Sequence, residues 1–224
     1  MQLGVKDAAR LLEVPEKTVY LWIEQGRLPA NRINDEYRFN RAELLEWATT
    51  QKVRVSPDIY REVDEGLPSL SEALHSGGVH GTVRARDKAE ALKAIVGFMR
   101  LPEEVDRGFL LEMLLSREAR SSTGVGDGVA IPHARNPMVL PVAGPMVALC
   151  YLDPPVDFSA VDGQPVHSLF AIVSTSIRGH LHLLSRLAYF LREEAGMRLL
   201  KGRAGEAELL NELRRVESRL RRTA

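Results

Sequence analysis

The sequence predicts a layered α/β domain preceded by a small, separate helical module. Three observations carry that expectation. Apolar runs of strand length, Met146–Leu152 and Ser168–Val173, are interleaved with segments of helical periodicity. The start of the chain packs a helix, a turn, a helix, a hairpin and a helix into residues 2–48. Between the two lies a polar stretch with Pro57, Gly66 and Pro68. The expected organisation is a module over residues 1–50, a linker over 51–66 and a larger domain over 67–218.

In the module, Ala8, Ala9, Leu11, Leu12 and Val14 repeat at helical spacing, and Pro15-Glu16 opens a second helix whose apolar stripe is Val19, Trp22 and Ile23. Gly26 stops it. Asn31-Arg32-Ile33 and Tyr37-Arg38-Phe39 alternate around Asn34-Asp35-Glu36 as a hairpin, and Asn40 precedes a helix carrying Leu44, Leu45 and Trp47. Trp22, Trp47, Tyr37 and Phe39 are read as the packing of this small core. Ile59–Val63 adds a helical turn to the linker. In the larger domain, Leu70–Leu74 reads as a short helix and Val79–Val83 as a strand, with Asp87 capping a helix that carries Ala91, Ile95 and Phe98. A helix follows over Asp106–Arg117. Gly124–Gly128 reads as a Gly-rich turn feeding the apolar strand Val129–His133. Met146–Leu152 and Ser168–Val173 are apolar runs of strand length, as expected for strands covered on both faces. Helices over about Ile177–Arg192 and Glu206–Arg221 close the chain.

Composition narrows the function classes. Of 224 residues 45% are hydrophobic and 27% charged, and Lys+Arg 30 balance Asp+Glu 30, so any nucleic-acid contact must be local rather than a bulk charge effect. The single cysteine, Cys150, excludes an internal disulfide and a cysteine-rich metal site. The start lacks an apolar signal region, and no uncharged apolar run has the roughly 18 residues of a membrane span. A cytoplasmic protein without membrane insertion is expected.

The module offers Lys17, Thr18 and Tyr20 on its second helix and Arg32 and Arg38 on its hairpin, all able to donate to phosphates or base edges; a solvated polar face is the alternative. Val5-Lys6-Asp7-Ala8-Ala9-Arg10-Leu11-Leu12, Lys17–Ile23, Gly26-Arg27-Leu28-Pro29-Ala30 and Tyr37-Arg38-Phe39-Asn40 resemble the excisionase-type, MerR-related winged helix-turn-helix domains. That resemblance implies DNA contact. Leu21 stands where such helices often carry a basic residue, so one copy is expected to bind weakly.

The densest chemistry is Ser116-Arg117-Glu118 followed by Ser121–Arg135. Glycines admit backbone N–H groups close to an anion, Ser122 and Thr123 add hydroxyl donors, Arg117 brings a planar cation, and a neutral His133 can attack phosphorus. His180 and His182 lie two apart on one helix, so only one of them can face a shared site. Without nearby ligands in metal spacing, no metal and no cofactor are expected. Leu70–Leu74, Val79-His80, Ser116–Glu118, Ser122–His133, Val156–Phe158, Asp162–Val166, Leu169-Phe170 and His180–Leu184 resemble, in order, the enzyme IIA domains of the bacterial phosphoenolpyruvate:sugar phosphotransferase system, in its fructose, mannitol and nitrogen-regulatory branch.

That resemblance implies a central mixed sheet with flanking helices, and a His133 that accepts a phosphoryl group from the phosphocarrier HPr. It assigns His180 as the second active-site histidine and Arg117 as the arginine beside the site, with Ser122 and Thr123 in the phosphate-binding motif. His75, His167 and His182 receive no role. Val129, Ile131, Met138 and Leu140 are candidates for the carrier-docking surface, with a core role as the alternative. Joined to a helix-turn-helix module, the domain points to a regulatory protein whose phosphorylation state alters DNA or target-protein binding. The alternatives are a transcription regulator whose IIA-like domain only senses or dimerises, homo-oligomers included, and a carrier to a separate sugar permease. The C-terminal arginines, Arg214, Arg215, Arg219, Arg221 and Arg222, read as a basic tail or as the solvated face of a packed helix.

Overall fold

The computed structural model describes residues 2–33, 36–51, 53, 55–56, 67–134, 142–174 and 176–222. The hairpin turn at Asn34-Asp35, the helical turn at Ile59–Val63 and the docking candidates Met138 and Leu140 lie outside these residues. The chain divides into two units, Met1–Asp64 and Glu65–Ala224.

In the first unit, β1 (Gln2–Leu3), α1 (Val5–Leu11), α2 (Glu16–Glu24), β2 (Asn31–Ile33), β3 (Glu36–Asn40) and α3 (Arg41–Thr50) follow in order. The strands form an antiparallel sheet ordered β1-β3-β2. Gly26 ends α2 because it adopts φ +65°, which lets its own N–H reach the Ile23 carbonyl and the Arg27 N–H reach the Trp22 carbonyl. Leu11, Leu12, Val19, Leu28, Phe39, Leu44 and Leu45 fill the core. Trp22 and Trp47 pack ring to ring at 5.1 Å, and the Trp47 indole N–H donates to the Arg27 carbonyl at 2.6 Å. Beyond α3, the Ser56 N–H donates to the Leu11 carbonyl at 2.8 Å and Val55 is buried, so these two residues still belong to this unit.

The second unit holds, among the described residues, α4 (Leu70–Gly77), β4 (Val79–Val83), α5 (Lys88–Phe98), α6 (Arg107–Arg120), β5 (Gly124–Gly126), β6 (Val129–Ala130), β7 (Met146–Val156), β8 (Val166–Val173), α7 (Ile177–Phe190), α8 (Glu194–Lys201) and α9 (Glu206–Arg222). The strands form one mixed sheet, ordered β4-β7-β8-β6-β5, in which β7 and β8 pair antiparallel and β4 and β6 join them parallel. The strand period of two divides β7 between two cores. Val147, Leu149 and Tyr151 join Leu70, Leu74, Phe170, Leu183, Leu187, Leu209 and Leu213 on one face. Met146, Ala148, Cys150 and Leu152 join Ala91, Leu92, Ile95, Leu110 and Leu114 on the other. Burial pushes the Cys150 thiol up to about 12, so it is a packing residue and not a nucleophile.

Three local expectations change. Gly124–Gly128 is not a plain turn: it forms a β5/β6 hairpin around Asp127-Gly128, both at positive φ (54° and 74°), as a two-residue hairpin loop requires. Strand β7 runs four residues past its apolar run and pairs again at Val156↔Val166. Helix α8 is absent from the sequence reading because its eight residues, with Gly196 and Leu200 buried and Met197 and Leu199 half-buried against the core, are shorter than the stretch over which helical periodicity is read. Val129 and Ile131, each 1% exposed, belong to the core and not to a docking surface. Helix α9 buries Leu209, Leu210, Leu213 and Val216 and exposes Arg214, Arg215 and Arg219, so these arginines line a packed helix.

Candidate functional site

The β5/β6 hairpin aims the chain at the site. After Ala130 pairs with Leu169, the Ile131 N–H donates to the Thr123 carbonyl at 2.9 Å. The Ile172 N–H donates to the Pro132 carbonyl at 3.0 Å, and His133 faces Ile172 in a parallel bridge. The imidazole is turned back on its own backbone, with Nδ1 at 2.6 Å from the Ile131 carbonyl. A carbonyl only accepts, so Nδ1 carries the proton and the ring's lone pair sits on Nε2.

His180 comes from the first turn of α7. Ser176 caps that turn by accepting the Gly179 N–H, and Gly179 has no room for a side chain: a Cβ there would lie 2.6 Å from Pro145. The His133 and His180 ring centroids are 5.0 Å apart. Burial, then the charges of His133 and Arg117, lower the His180 pKa to about 3, so this ring is neutral at pH 7. Arg117 lies in the last turn of α6, with Nη1 donating to the Ser121 carbonyl at 2.7 Å and to its hydroxyl at 3.0 Å. His133, His180 and Arg117 are 3%, 7% and 5% exposed, so the three form a buried cluster.

The structure therefore brings together His133, His180 and Arg117. It also separates the two helical histidines: His182 points elsewhere and donates from Nε2 to the Pro68 carbonyl at 2.9 Å. His75 bonds Glu206 at the surface, and His167 bonds the Ser168 hydroxyl beside Gly128. Ser122 and Thr123 differ from the expectation of free phosphate donors. The Ser122 hydroxyl donates to the Phe158 carbonyl at 2.5 Å, and the Thr123 hydroxyl donates to Glu118 Oε2 at 2.6 Å. Each must break an internal bond to donate to an anion. Glu118, to which the sequence assigns no role, is a member of this cluster of buried bonds. Its signal was periodicity: Leu110, Leu114, Arg117 and Glu118 form one buried stripe of α6, on which two charged residues need an explanation.

On the first unit, Lys17 and Arg32 are exposed and Thr18 is half-buried. Tyr20, 43% exposed, meets Tyr37 of the hairpin edge-on at 6.1 Å. Arg38 is paired with Glu36 at 2.5 Å, which neutralises part of the hairpin's positive charge, and Leu21 is 49% exposed on the same helix. No helix among the described residues is long and apolar enough to cross a membrane.

Comparison with known proteins gives two matches along the chain. Residues 72–216 match the family model described as phosphoenolpyruvate-dependent sugar phosphotransferase system, EIIA 2, and residues 3–52 match that of a helix-turn-helix domain. A nitrogen regulatory protein of Pseudomonas aeruginosa is 36% identical over 143 residues, which are 62% of this chain and 90% of that protein. The fructose-specific EIIABC component of the Bacillus subtilis phosphotransferase system is 33% identical over 142 residues, but the chain spans only 22% of that protein's length. The crystal structure of the nitrogen regulatory protein IIA-Ntr from Neisseria meningitidis superimposes with a TM-score of 0.56 at 28% identity, covering 64% of this chain and 98% of that one.

Proposed function

This chain belongs to the phosphoenolpyruvate-dependent sugar phosphotransferase system EIIA 2 family, and on that premise we propose that it is a regulatory phosphocarrier that accepts a phosphoryl group from HPr on Nε2 of His133. The observation that carries the reading is the fixed tautomer of His133 in front of a neutral His180. The Nε2 lone pair attacks phosphorus, the N–P bond of the donor phosphohistidine breaks, and its electron pair returns to the donor ring. The His133 Nδ1 proton stays in place, and its bond to the Ile131 carbonyl stabilises the positive charge that develops on the ring. A neutral His180 can donate a ring N–H to a phosphoryl oxygen, while Arg117 supplies fixed positive charge that a transferring phosphoryl group requires.

Regulation is favoured over transport by the helix-turn-helix domain in the same chain and by the likeness to nitrogen regulatory proteins over nearly their whole length. Phosphorylation adds roughly −2 of charge, enough to change a partner contact. The output we assign is DNA contact through Lys17, Thr18, Tyr20, Arg32 and Arg38, in a protein that works in the cytoplasm. The likeness to the fructose EIIABC component supports a second reading, delivery of the phosphoryl group to a sugar-permease IIB component.

The test is transfer of labelled phosphate from phosphoenolpyruvate through enzyme I and HPr to the full chain. Acid-labile label on the wild type and none on His133→Ala supports the reading. A folded wild type that takes no label from HPr of the same organism overturns it. Onward transfer to a IIB component selects the second reading.

A further inference from the structure

A continuous run of buried hydrogen bonds links α6 to the His133 ring. Glu118 Oε2 accepts both the Thr123 N–H at 2.9 Å and the Thr123 hydroxyl at 2.6 Å. The Thr123 carbonyl accepts the Ile131 N–H at 2.9 Å, and the Ile131 carbonyl accepts the His133 Nδ1–H at 2.6 Å. The other carboxylate oxygen of Glu118 lies 3.5 Å from Lys88 Nζ, which also donates to the Ser159 hydroxyl at 3.1 Å. Glu118, Thr123, Ile131 and His133 are 7%, 2%, 1% and 3% exposed, so water does not compete for these bonds.

We propose that Glu118 is a positioning residue for His133: by holding Thr123 at two points it presents the Ile131 carbonyl to Nδ1 and so keeps the reactive lone pair on Nε2. Two features make this more than packing. Only one backbone bond joins Thr123 to Ile131, because the Thr123 N–H that would return a second ladder bond to the Ile131 carbonyl donates to Glu118 Oε2 instead, so the angle of the Ile131 carbonyl depends on what fixes Thr123. Each link also donates in the same direction, from the imidazole towards the carboxylate, so every donor in the run meets an acceptor and the buried run ends on an anion. Lys88 restrains the far side of the carboxylate and keeps Oε2 turned to Thr123. The inference rests on the reading of Nε2 as the phosphoryl acceptor for its functional consequence, but the tautomer itself is measurable without any phosphoryl transfer.

The experiment uses the full chain with Glu118→Ala, Glu118→Gln and Thr123→Val, and two readouts: the His133 ring tautomer from long-range 1H–15N correlation, and the initial rate of transfer from phosphorylated HPr. Glu118→Ala is expected to mix Nε2–H tautomer into the His133 signal and to slow transfer by about 10-fold to about 100-fold, the usual cost of removing a group that orients a functional histidine. Glu118→Gln, whose amide oxygen accepts the same two bonds, is expected to restore both. Thr123→Val should shift both readouts in the direction of Glu118→Ala, and it carries the test if the alanine variant does not fold. A tautomer that depends on Glu118 in a protein that takes no phosphoryl group supports the positioning role and refutes the acceptor reading. Wild-type tautomer and rate in folded Glu118→Ala, or in Thr123→Val, overturn the proposal.

Discussion

Replacing His180 with asparagine should flatten the acid side of the stability curve. The His180 pKa is lowered to about 3 in the folded chain, first by burial and then by the charges of His133 and Arg117, against an ordinary value of 6.5. Below pH 6.5 the unfolded chain therefore binds a proton that the folded chain refuses, and stability falls as pH falls until about pH 3. At about 1.4 kcal/mol per pH unit, going from about pH 7.5 to about pH 4.5 costs about 3 kcal/mol through this one ring. His180→Asn lacks the titration, so its stability should drop by about 3 kcal/mol less than that of the wild type over the same range. Both tryptophans lie in the first unit, so tryptophan fluorescence does not report on this domain. Urea unfolding should instead be followed through amide resonances of β7 and β8, such as Leu149 and Phe170. Parallel pH dependences for the two proteins, or a His180 ring that titrates near pH 6.5 by NMR, would refute the reasoning.

Other substitutions test the frame around the site. Glu217 is buried in α9 and caps α4, with Oε1 accepting the Leu70 N–H and Oε2 the Ser71 hydroxyl, so Glu217→Ala should cost about 2–4 kcal/mol in urea unfolding, and a loss below about 1 kcal/mol would count against a capping role. Gly77 lets α4 lie directly on β7: a Cβ there would sit 2.2 Å from the Val147 carbonyl oxygen, so Gly77→Ala should destabilise by about 3 kcal/mol or more, read as a lower denaturation midpoint. On the first unit, Lys17→Ala should weaken duplex binding and reduce the salt slope by about 1, whereas Arg38→Ala should do less because Glu36 already holds that guanidinium. Leu21→Lys should tighten binding, and anisotropy of a labelled duplex across a salt series measures all three.

Much of the fold is legible because burial prints itself on the sequence. Met146–Leu152 is apolar throughout and Ser168–Val173 nearly so because both faces of β7 and β8 are covered, and Asp87, read as a cap, accepts the Glu90 N–H at the start of α5. The β5/β6 hairpin was hidden by its glycines, which suggest irregular chain, although Asp127-Gly128 is itself a hairpin signal. The site was legible as residue types and as a family resemblance, not as geometry. Nothing in the spacing of Arg117, His133 and His180 places them together, since their meeting depends on the β6–β8 pairing and on the close seat of Gly179 against Pro145. The internal bonds of the Ser122 and Thr123 hydroxyls are not legible in the sequence, because their partners, the Phe158 carbonyl and the Glu118 carboxylate, are set by tertiary packing.

The central claim is that the reactive atom is Nε2 of His133, because Nδ1 is committed to the Ile131 carbonyl. The most direct measurement is phosphorus–nitrogen coupling in the full chain, labelled with 15N-histidine and phosphorylated through enzyme I and HPr. One phosphohistidine is expected, with phosphorus coupled to Nε2 of His133 and Nδ1 still protonated. Phosphorus coupled to Nδ1, or found on His180 instead, would contradict it.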